Sequence, residues 1–158
     1  MIQRIQSLFL LVAIAAMVLL AFFPMASFYS DTGIYVLGIS GLDSLTPGNE
    51  VPFVTWFFYP LPVVAALIII LDVVALLAYK KRLRQIRILQ GTILLTILFV
   101  VGIMFYYVPA IEENTGTVVD YRDSTGIYLP LISLVFSLLA QHYIKKDEKL
   151  VRSVDRLR

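Results

Sequence analysis

The chain has 158 residues, of which 59% are hydrophobic, with a formal net charge of +2 and a mean hydropathy of +0.87. These values exclude an ordinary soluble globular domain and predict one membrane domain over residues 1–158. The chain has no cysteine and a single histidine, His142. Paired-thiol chemistry is therefore excluded, and a multi-histidine metal or haem site is disfavoured. We predict neither a metal site nor a cofactor.

Four apolar segments follow one another, each close to the roughly 20 residues that a helix needs to cross a bilayer. They are residues 6–23, 60–79, 88–108 and 128–144. Twelve of the 13 Lys and Arg residues lie before the first segment, between the second and third, or after the fourth. The two other loops, residues 24–59 and 109–127, hold only Arg122 against seven acids. Because basic short loops stay in the cytoplasm, both chain ends are predicted to be cytoplasmic.

The first of the two outer loops is predicted to contain a β-hairpin. Two β-prone stretches, residues 27–30 and 34–39, flank a turn in which Gly33 suits the left-handed position. In the second outer loop, residues 117–121 are suited to a third strand. The predicted fold class is an all-α membrane protein, a four-transmembrane-helix bundle with a small outer cap that contains a β-hairpin. Disordered outer loops are the alternative.

The connection over residues 80–87 is too short for anything but a tight turn between antiparallel helices. After residue 144 the chain remains helix-prone, and residues 145–158 form an amphipathic cytoplasmic tail with a predicted bend near residues 145–148. The apolar residues of the tail follow helical spacing at Leu150, Val151, Val154 and Leu157. We expect the tail to lie along the inner membrane surface or to dock on the connection. A coiled-coil contact is the alternative.

The bases of this connection and tail are together called the basic collar. Each base near an anionic membrane surface contributes about 1 kcal/mol of attraction, so the collar is predicted to bind lipid headgroups. The predicted headgroup-binding residues are Lys80, Lys81, Arg82, Arg84, Arg87, Lys145, Lys146, Lys149, Arg152 and Arg156. No basic groove with interleaved aromatic residues indicates a nucleic-acid partner. The predicted partner is a bilayer with anionic headgroups.

Asp72 is the only acid inside a predicted span. Helical spacing places small and polar residues on one face of each of three spans, and these residues are Ala65, Asp72, Ala75, Thr92, Thr96, Ser133, Ser137 and Gln141. Because a charge facing lipid is costly, these faces are expected to meet other helices. Depth counted from the flanking bases predicts an intramembrane polar layer of Asp72, Thr96 and Ser137.

A second polar layer, nearer the cytoplasm, is predicted to contain Gln90, Gln141 and His142. Two interpretations of Asp72 stay open: a structural clasp of polar groups, and a proton or cation relay. The clasp is favoured, because the sequence has one deep ionisable group and neither an inverted repeat nor a broken helix. His142 suits an amphipathic surface position better than a pH switch.

The opening MIQRIQ, residues 1–6, and the tail KDEKLVRSVDRLR, residues 146–158, are distinctive. Together with the four-span layout, they closely resemble a domain-of-unknown-function family of small inner-membrane proteins from Bacteroidota. The resemblance covers essentially the whole chain. It implies a multi-pass protein of the bacterial inner membrane, and it implies no particular activity.

Three functions are weighed from the sequence. The first is a non-enzymatic scaffold or accessory subunit that binds a membrane or envelope protein through its outer cap or basic tail. The second is a small proton-coupled transporter or membrane sensor that uses Asp72. The third is a lipid-modifying membrane enzyme, which is the least supported, because Gln90, Gln141 and His142 are too few groups for an acid, base or metal cluster. No motif indicates an enzyme class.

Overall fold

The computed structural model describes residues 2–30, 33–48, 51–121 and 124–155. The helices are α1 Ile2–Leu19, α2 Pro60–Leu77, α3 Arg82–Gly102, α4 Val108–Thr115 and α5 Tyr128–Asp155. The strands are β1 Ala26–Ser30, β2 Gly33–Leu37, β3 Leu42–Ser44 and β4 Val118–Asp120. The protein is therefore mostly helical, with one small antiparallel sheet that we call the sheet cap.

Three helical stretches of the described chain are long and apolar enough to cross a membrane. They are Thr55–Leu77, Arg82–Thr115 and Thr125–Val151. The apolar part of α1, Ile5–Leu19, is shorter. The structure thus confirms apolar helices in all four predicted segments, and on length alone it supports spanning for three of them.

The helices pack in a closed order. α1 contacts α2 and α5, and α3 contacts the same two helices from the other side. Each helix turns one narrow stripe inward, which on α2 consists of Leu61, Ala65, Ile68, Asp72 and Ala75. The steps of three and four residues between these positions are those of a single helix face. The remaining faces of α2 carry exposed aliphatic side chains such as Ile70 and Leu77.

The third helical segment extends further than predicted. α3 passes through a π-helical stretch, Ile103–Tyr107, directly into α4, so residues expected to begin the second outer loop are helical to Thr115. Pro109 would break a regular α-helix because it has no N–H. The π-helical stretch just before Pro109 accommodates it, with the N–H of Val108 donating to the Ile103 carbonyl oxygen. The helix ends at Gly116, which has a left-handed backbone.

The sheet cap has the strand order β3-β2-β1-β4, with every neighbouring pair antiparallel. The predicted hairpin is present as β1 and β2, and the predicted third strand as β4. The expected left-handed turn position for Gly33 was wrong, because Gly33 is the first residue of β2, pairs with Ser30 and has no positive φ. The two loops that were predicted to be outer therefore meet in one sheet. The strand β3 was not predicted. Residues 31 and 32 of the hairpin turn lie outside the described residues.

Two apolar clusters form the interior. The larger joins the sheet cap to one end of the helices, which we call the cap end, and includes Phe28, Leu37, Met17 and Ile103. The smaller lies towards the basic collar, at what we call the collar end, and consists of Leu10, Ala75, Leu89, Ala140 and Ile144. Buried residues of α1, α2 and α3 belong to both clusters, whereas α5 contributes buried residues to the smaller one and packs Leu129 against the larger one.

In the described residues the tail continues the fourth segment as helix, with no break at the predicted bend. α5 is a single helix of 28 residues through Asp155. Its apolar residues Leu150 and Val151 are exposed. Residue 157 and the side chain at position 154 lie outside what the structure describes, so the predicted amphipathic face stays a prediction there.

Candidate functional site

A band of buried polar residues separates the two apolar clusters. On α2, Asp72 lies between Ile68 of the cap-end cluster and Ala75 of the collar-end cluster. On α3, Thr92 and Thr96 lie between Leu89 and Phe99 in the same way. We call the set of Asp72, Thr92, Thr96, Ser133 and Ser137 the polar band; all five are buried.

Between the two apolar clusters, α5 contributes buried hydroxyl-bearing residues, whereas α1 contributes a small apolar residue. Ser133 and Ser137 of α5 precede Ala140, which belongs to the collar-end cluster. On α1, the corresponding stretch between Leu10 and Met17 contains the buried residue Ala13. Small and hydroxyl-bearing residues allow helices to approach closely. The residue types of the band therefore suit close helix contact as well as polarity.

Asp72 is completely buried, with 0% of its surface exposed. Neither of its carboxyl oxygens has a hydrogen-bond partner among the described residues. The threonines of α3 do not supply one, because the Thr92 hydroxyl donates to the Ile88 carbonyl (3.1 Å) and the Thr96 hydroxyl donates to the Thr92 carbonyl (2.9 Å). Each hydroxyl has a single proton to donate. The Ser133 hydroxyl is likewise without a partner in the described chain.

The predicted inner layer is only partly interior. Gln90 and His142 are both exposed. Gln141 is half-buried: its Oε1 accepts from the Lys145 ammonium at 3.0 Å, while its buried Nε2 has no partner among the described residues. Gln90 lies off the buried face of α3 because that face steps from Leu89 to Thr92. The expected layer of Gln90, Gln141 and His142 is therefore not found as an interior layer.

Two other glutamines are buried at the collar end. Gln85 precedes Leu89 by four residues on the buried face of α3, and Gln6 precedes Leu10 by four on α1. The Nε2 of Gln6 has no hydrogen-bond partner in the described chain. The signal for Gln85 was present in the sequence, because it lies seven and eleven residues before Thr92 and Thr96. Continuing that period towards the N-terminus would have found it.

The described part of the basic collar is mostly exposed. Lys81, Arg84 and Arg87 are exposed at the start of α3, and Lys145, Lys146 and Lys149 are exposed on α5. Arg82 is the exception, because it forms an ion pair with Asp147. The side chains at positions 80 and 152, and residue 156, lie outside the described part of the chain.

Three contacts fasten the sheet cap to the helices. The Ser27 and Ser124 hydroxyl oxygens are 2.9 Å apart, and the Gly126 N–H donates to the Pro24 carbonyl at 2.7 Å. The Val119 N–H donates to Oε1 of Glu112 at 2.9 Å, which ties β4 to α4. Residue 126 must be glycine, because a Cβ there would collide with the Pro24 carbonyl.

Burial and the Glu112 carboxylate both raise the pKa of Tyr121, which follows β4. Desolvation is the larger cause, since the tyrosinate anion would lose hydration in the partly buried site. The neighbouring negative charge acts in the same direction.

The face of the sheet cap that points away from the helices carries a cluster of apolar side chains, where a solvated sheet is usually polar. Alternate residues of a strand point to opposite faces, and Phe28, Tyr35 and Leu37 are buried against the helices. The opposite face carries four apolar residues, Tyr29, Ile34, Val36 and Val118, and the register also places Ser27, Asp43 and Asp120 on it. Tyr29 lies directly across from both Ile34 and Val118, and Val118 is 70% exposed. We call these four residues the cap patch.

A family model described as a domain of unknown function, DUF4293, matches residues 2–157. The chain belongs to the DUF4293 family. None of the curated proteins compared with this DUF4293 chain matches it. The family match spans the helices, the polar band and the sheet cap together. The description of the family assigns no activity.

Proposed function

We propose that this DUF4293 protein crosses the bacterial inner membrane four times and acts as a non-enzymatic scaffold or accessory subunit. In this topology both chain ends and the basic collar are cytoplasmic, and the sheet cap lies on the outer side. The cap patch is the surface offered to a membrane or envelope protein. The exposed collar bases meet the anionic headgroups of the inner leaflet.

The packing of α1 supports its assignment as a fourth span. Its 18 residues measure about 27 Å at 1.5 Å per residue, close to the roughly 30 Å of the hydrocarbon core. It packs against two of the longer apolar helices. Its outward side chains Leu8, Leu11 and Val18 are exposed and apolar, as expected of a surface that faces lipid.

The observation that carries the scaffold proposal is the cap patch. A cluster of apolar side chains beside the polar residues Ser27, Asp43 and Asp120 on one sheet face supports a surface that a partner covers. The ties from Ser27, Glu112 and Gly126 hold this sheet on the helices. A surface that is already ordered loses less conformational entropy when a partner binds.

The proposal is tested by site-specific photo-crosslinking in intact cells that express the chain. A photoreactive residue is placed at Val118, within the cap patch, or at Glu113, an exposed control position on α4. We expect a discrete protein adduct from position 118 and none from position 113. Repeated recovery of the uncrosslinked chain alone from position 118 would contradict the scaffold function.

Asp72 favours a second candidate, a proton-coupled role. It is unusual for both carboxyl oxygens of a residue in a helical core to lack hydrogen-bond partners, as they do within the described chain, and ionisable residues at such depth are often functional. The complete burial of Asp72 counts against a proton-coupled role, because a proton relay needs access to water on at least one side of the membrane. Proton flux into vesicles containing the purified chain separates the two functions. Flux that is lost in Asp72→Asn would favour transport, and equal leak in both forms would favour the scaffold.

A further inference from the structure

A groove of about 510 Å³ lies between the start of α3 and the later turns of α5. One wall is formed by Leu83 and Ile86 of α3. The opposite wall is formed by residues of α5, namely His142, Lys145, Lys146, Glu148 and Lys149. The volume falls within the roughly 300–1,000 Å³ typical of sites that enclose small ligands. Its two walls differ sharply in chemistry.

The α5 wall is positively charged. Lys145, Lys146 and Lys149 follow His142 at spacings of three, four and seven residues, which place all four on one helix face. Glu148 is the one acid lining the groove among the described residues. The neighbouring Asp147 does not line it and is paired with Arg82. The groove therefore has an excess of positive charge that suits a phosphate group.

The apolar side of the groove continues beyond its lining. Eleven residues after Leu83 and Ile86, on the same face of α3, lie the exposed residues Leu94 and Ile97. On α5, the exposed Leu138 and Leu139 precede His142 by four and three residues. A free phosphate ion would make no use of this surface. A molecule with a phosphate and a hydrocarbon chain would use both parts.

We propose that this groove binds one anionic phospholipid of the inner leaflet. Its phosphate contacts the lysines of α5, and an acyl chain extends along Leu83 and Ile86 towards Leu94. The inference rests on the proposed topology, which puts the collar end at the inner membrane surface. It goes beyond diffuse attraction to the collar, because a groove of this size binds lipid saturably and one molecule at a time.

The test is native mass spectrometry of the purified full-length chain in detergent, titrated with phosphatidylglycerol or phosphatidylcholine. We expect a one-to-one adduct that forms at lower concentration with phosphatidylglycerol. Lys146→Gln/Lys149→Gln removes two exposed lysines from the groove and should weaken that adduct by about fivefold per lysine. Leu83→Trp fills the groove, leaves every charge in place and should also weaken binding.

The matched control is Lys81→Gln/Arg84→Gln, which removes two exposed bases that do not line the groove. It should leave the adduct nearly unchanged. If the two charge variants lose phosphatidylglycerol binding equally and Leu83→Trp binds it fully, the groove is not the site and diffuse attraction to the basic collar explains the adduct. Displacement of phosphatidylglycerol by inorganic phosphate would overturn the lipid as ligand. These readouts are independent of crosslinking at Val118, so the scaffold and lipid proposals can fail separately.

Discussion

Arg82 and Asp147 are joined by an ion pair in which Nη2 lies 2.9 Å from Oδ2. Arg82 is the first residue of α3, and Asp147 lies three residues beyond Ile144, the last buried aliphatic residue of α5 in the described chain. Only 24% and 14% of the two side chains are exposed, so water and salt screen the pair less than an open surface pair. The contact holds α5 against α3 at the point where the sequence predicted a bend.

Arg82→Gln or Asp147→Asn should therefore loosen the end of α5. We expect each substitution to lower the free energy of unfolding by about 1 kcal/mol, at the upper end for partly exposed pairs. Thermal unfolding in detergent measures the loss, and the double variant should be little worse than either single one because the interaction is already gone. Fully additive losses would contradict a direct coupling between these residues.

Asp72→Ala should not destabilise the protein. It removes a buried carboxyl group that has no hydrogen-bond partner in the described chain, and leaving such a group unpaired costs about 1–3 kcal/mol. We expect the free energy of unfolding to stay level or to rise, as measured by thermal unfolding in detergent. Asp72→Asn keeps shape and polarity and is the matched control, with a smaller effect expected. A marked loss of stability in Asp72→Ala would instead support a structural clasp.

Gly126→Ala should detach the sheet cap from the helices. The added methyl group would overlap the Pro24 carbonyl and disrupt the Gly126 N–H bond to it. We expect faster proteolysis within residues 38–48 and a stability loss of about 1–3 kcal/mol. Gly91→Ala is the control, because a Cβ at this position in α3 meets no atom within 4 Å. It should be neutral or slightly stabilising, and equal proteolysis in the two variants would contradict the prediction.

The sheet cap should lose stability at alkaline pH in a way that depends on Tyr121. Its pKa is raised in the folded state by burial and by Glu112, so folding favours the neutral phenol. The associated stability is present below the unfolded pKa of about 10 and is lost as pH rises through the folded value. Tyr121→Phe should flatten this loss in thermal unfolding.

Glu112→Gln provides the companion measurement for this titration. It removes the charge while retaining an oxygen that can accept from the Val119 N–H. Tyrosinate absorbance, taken as the difference between a parent and its Tyr121→Phe derivative, should then titrate at lower pH. A midpoint unaffected by Glu112→Gln would show that its charge does not act on Tyr121.

Much of the helical architecture could be predicted from the sequence because it depends on local patterns. Apolar length marks the helical segments, and a period of three and four residues identifies Asp72, Thr92, Thr96, Ser133 and Ser137, all of which are buried. The β-prone stretches on either side of residues 31–33 likewise predict the hairpin of β1 and β2. Gln85 lies on the same period as the threonines and was predictable by the same rule. Each of these features follows from the geometry of a single helix or hairpin.

Other features were decided only by the tertiary structure. The Thr96 hydroxyl could donate to Asp72 or to a backbone carbonyl of its own helix. It donates to the Thr92 carbonyl, which lies one helical turn away and is always within reach. The continuation of α3 past Pro109 required a π-helical stretch, and the ion pair that holds the later part of α5 comes from Arg82 on another helix. Sequence determines which residues are turned inward, because periodicity is local. Hydrogen-bond partners, ion pairs and the groove beside Leu83 depend on how separate helices pack, because they join residues far apart in the chain.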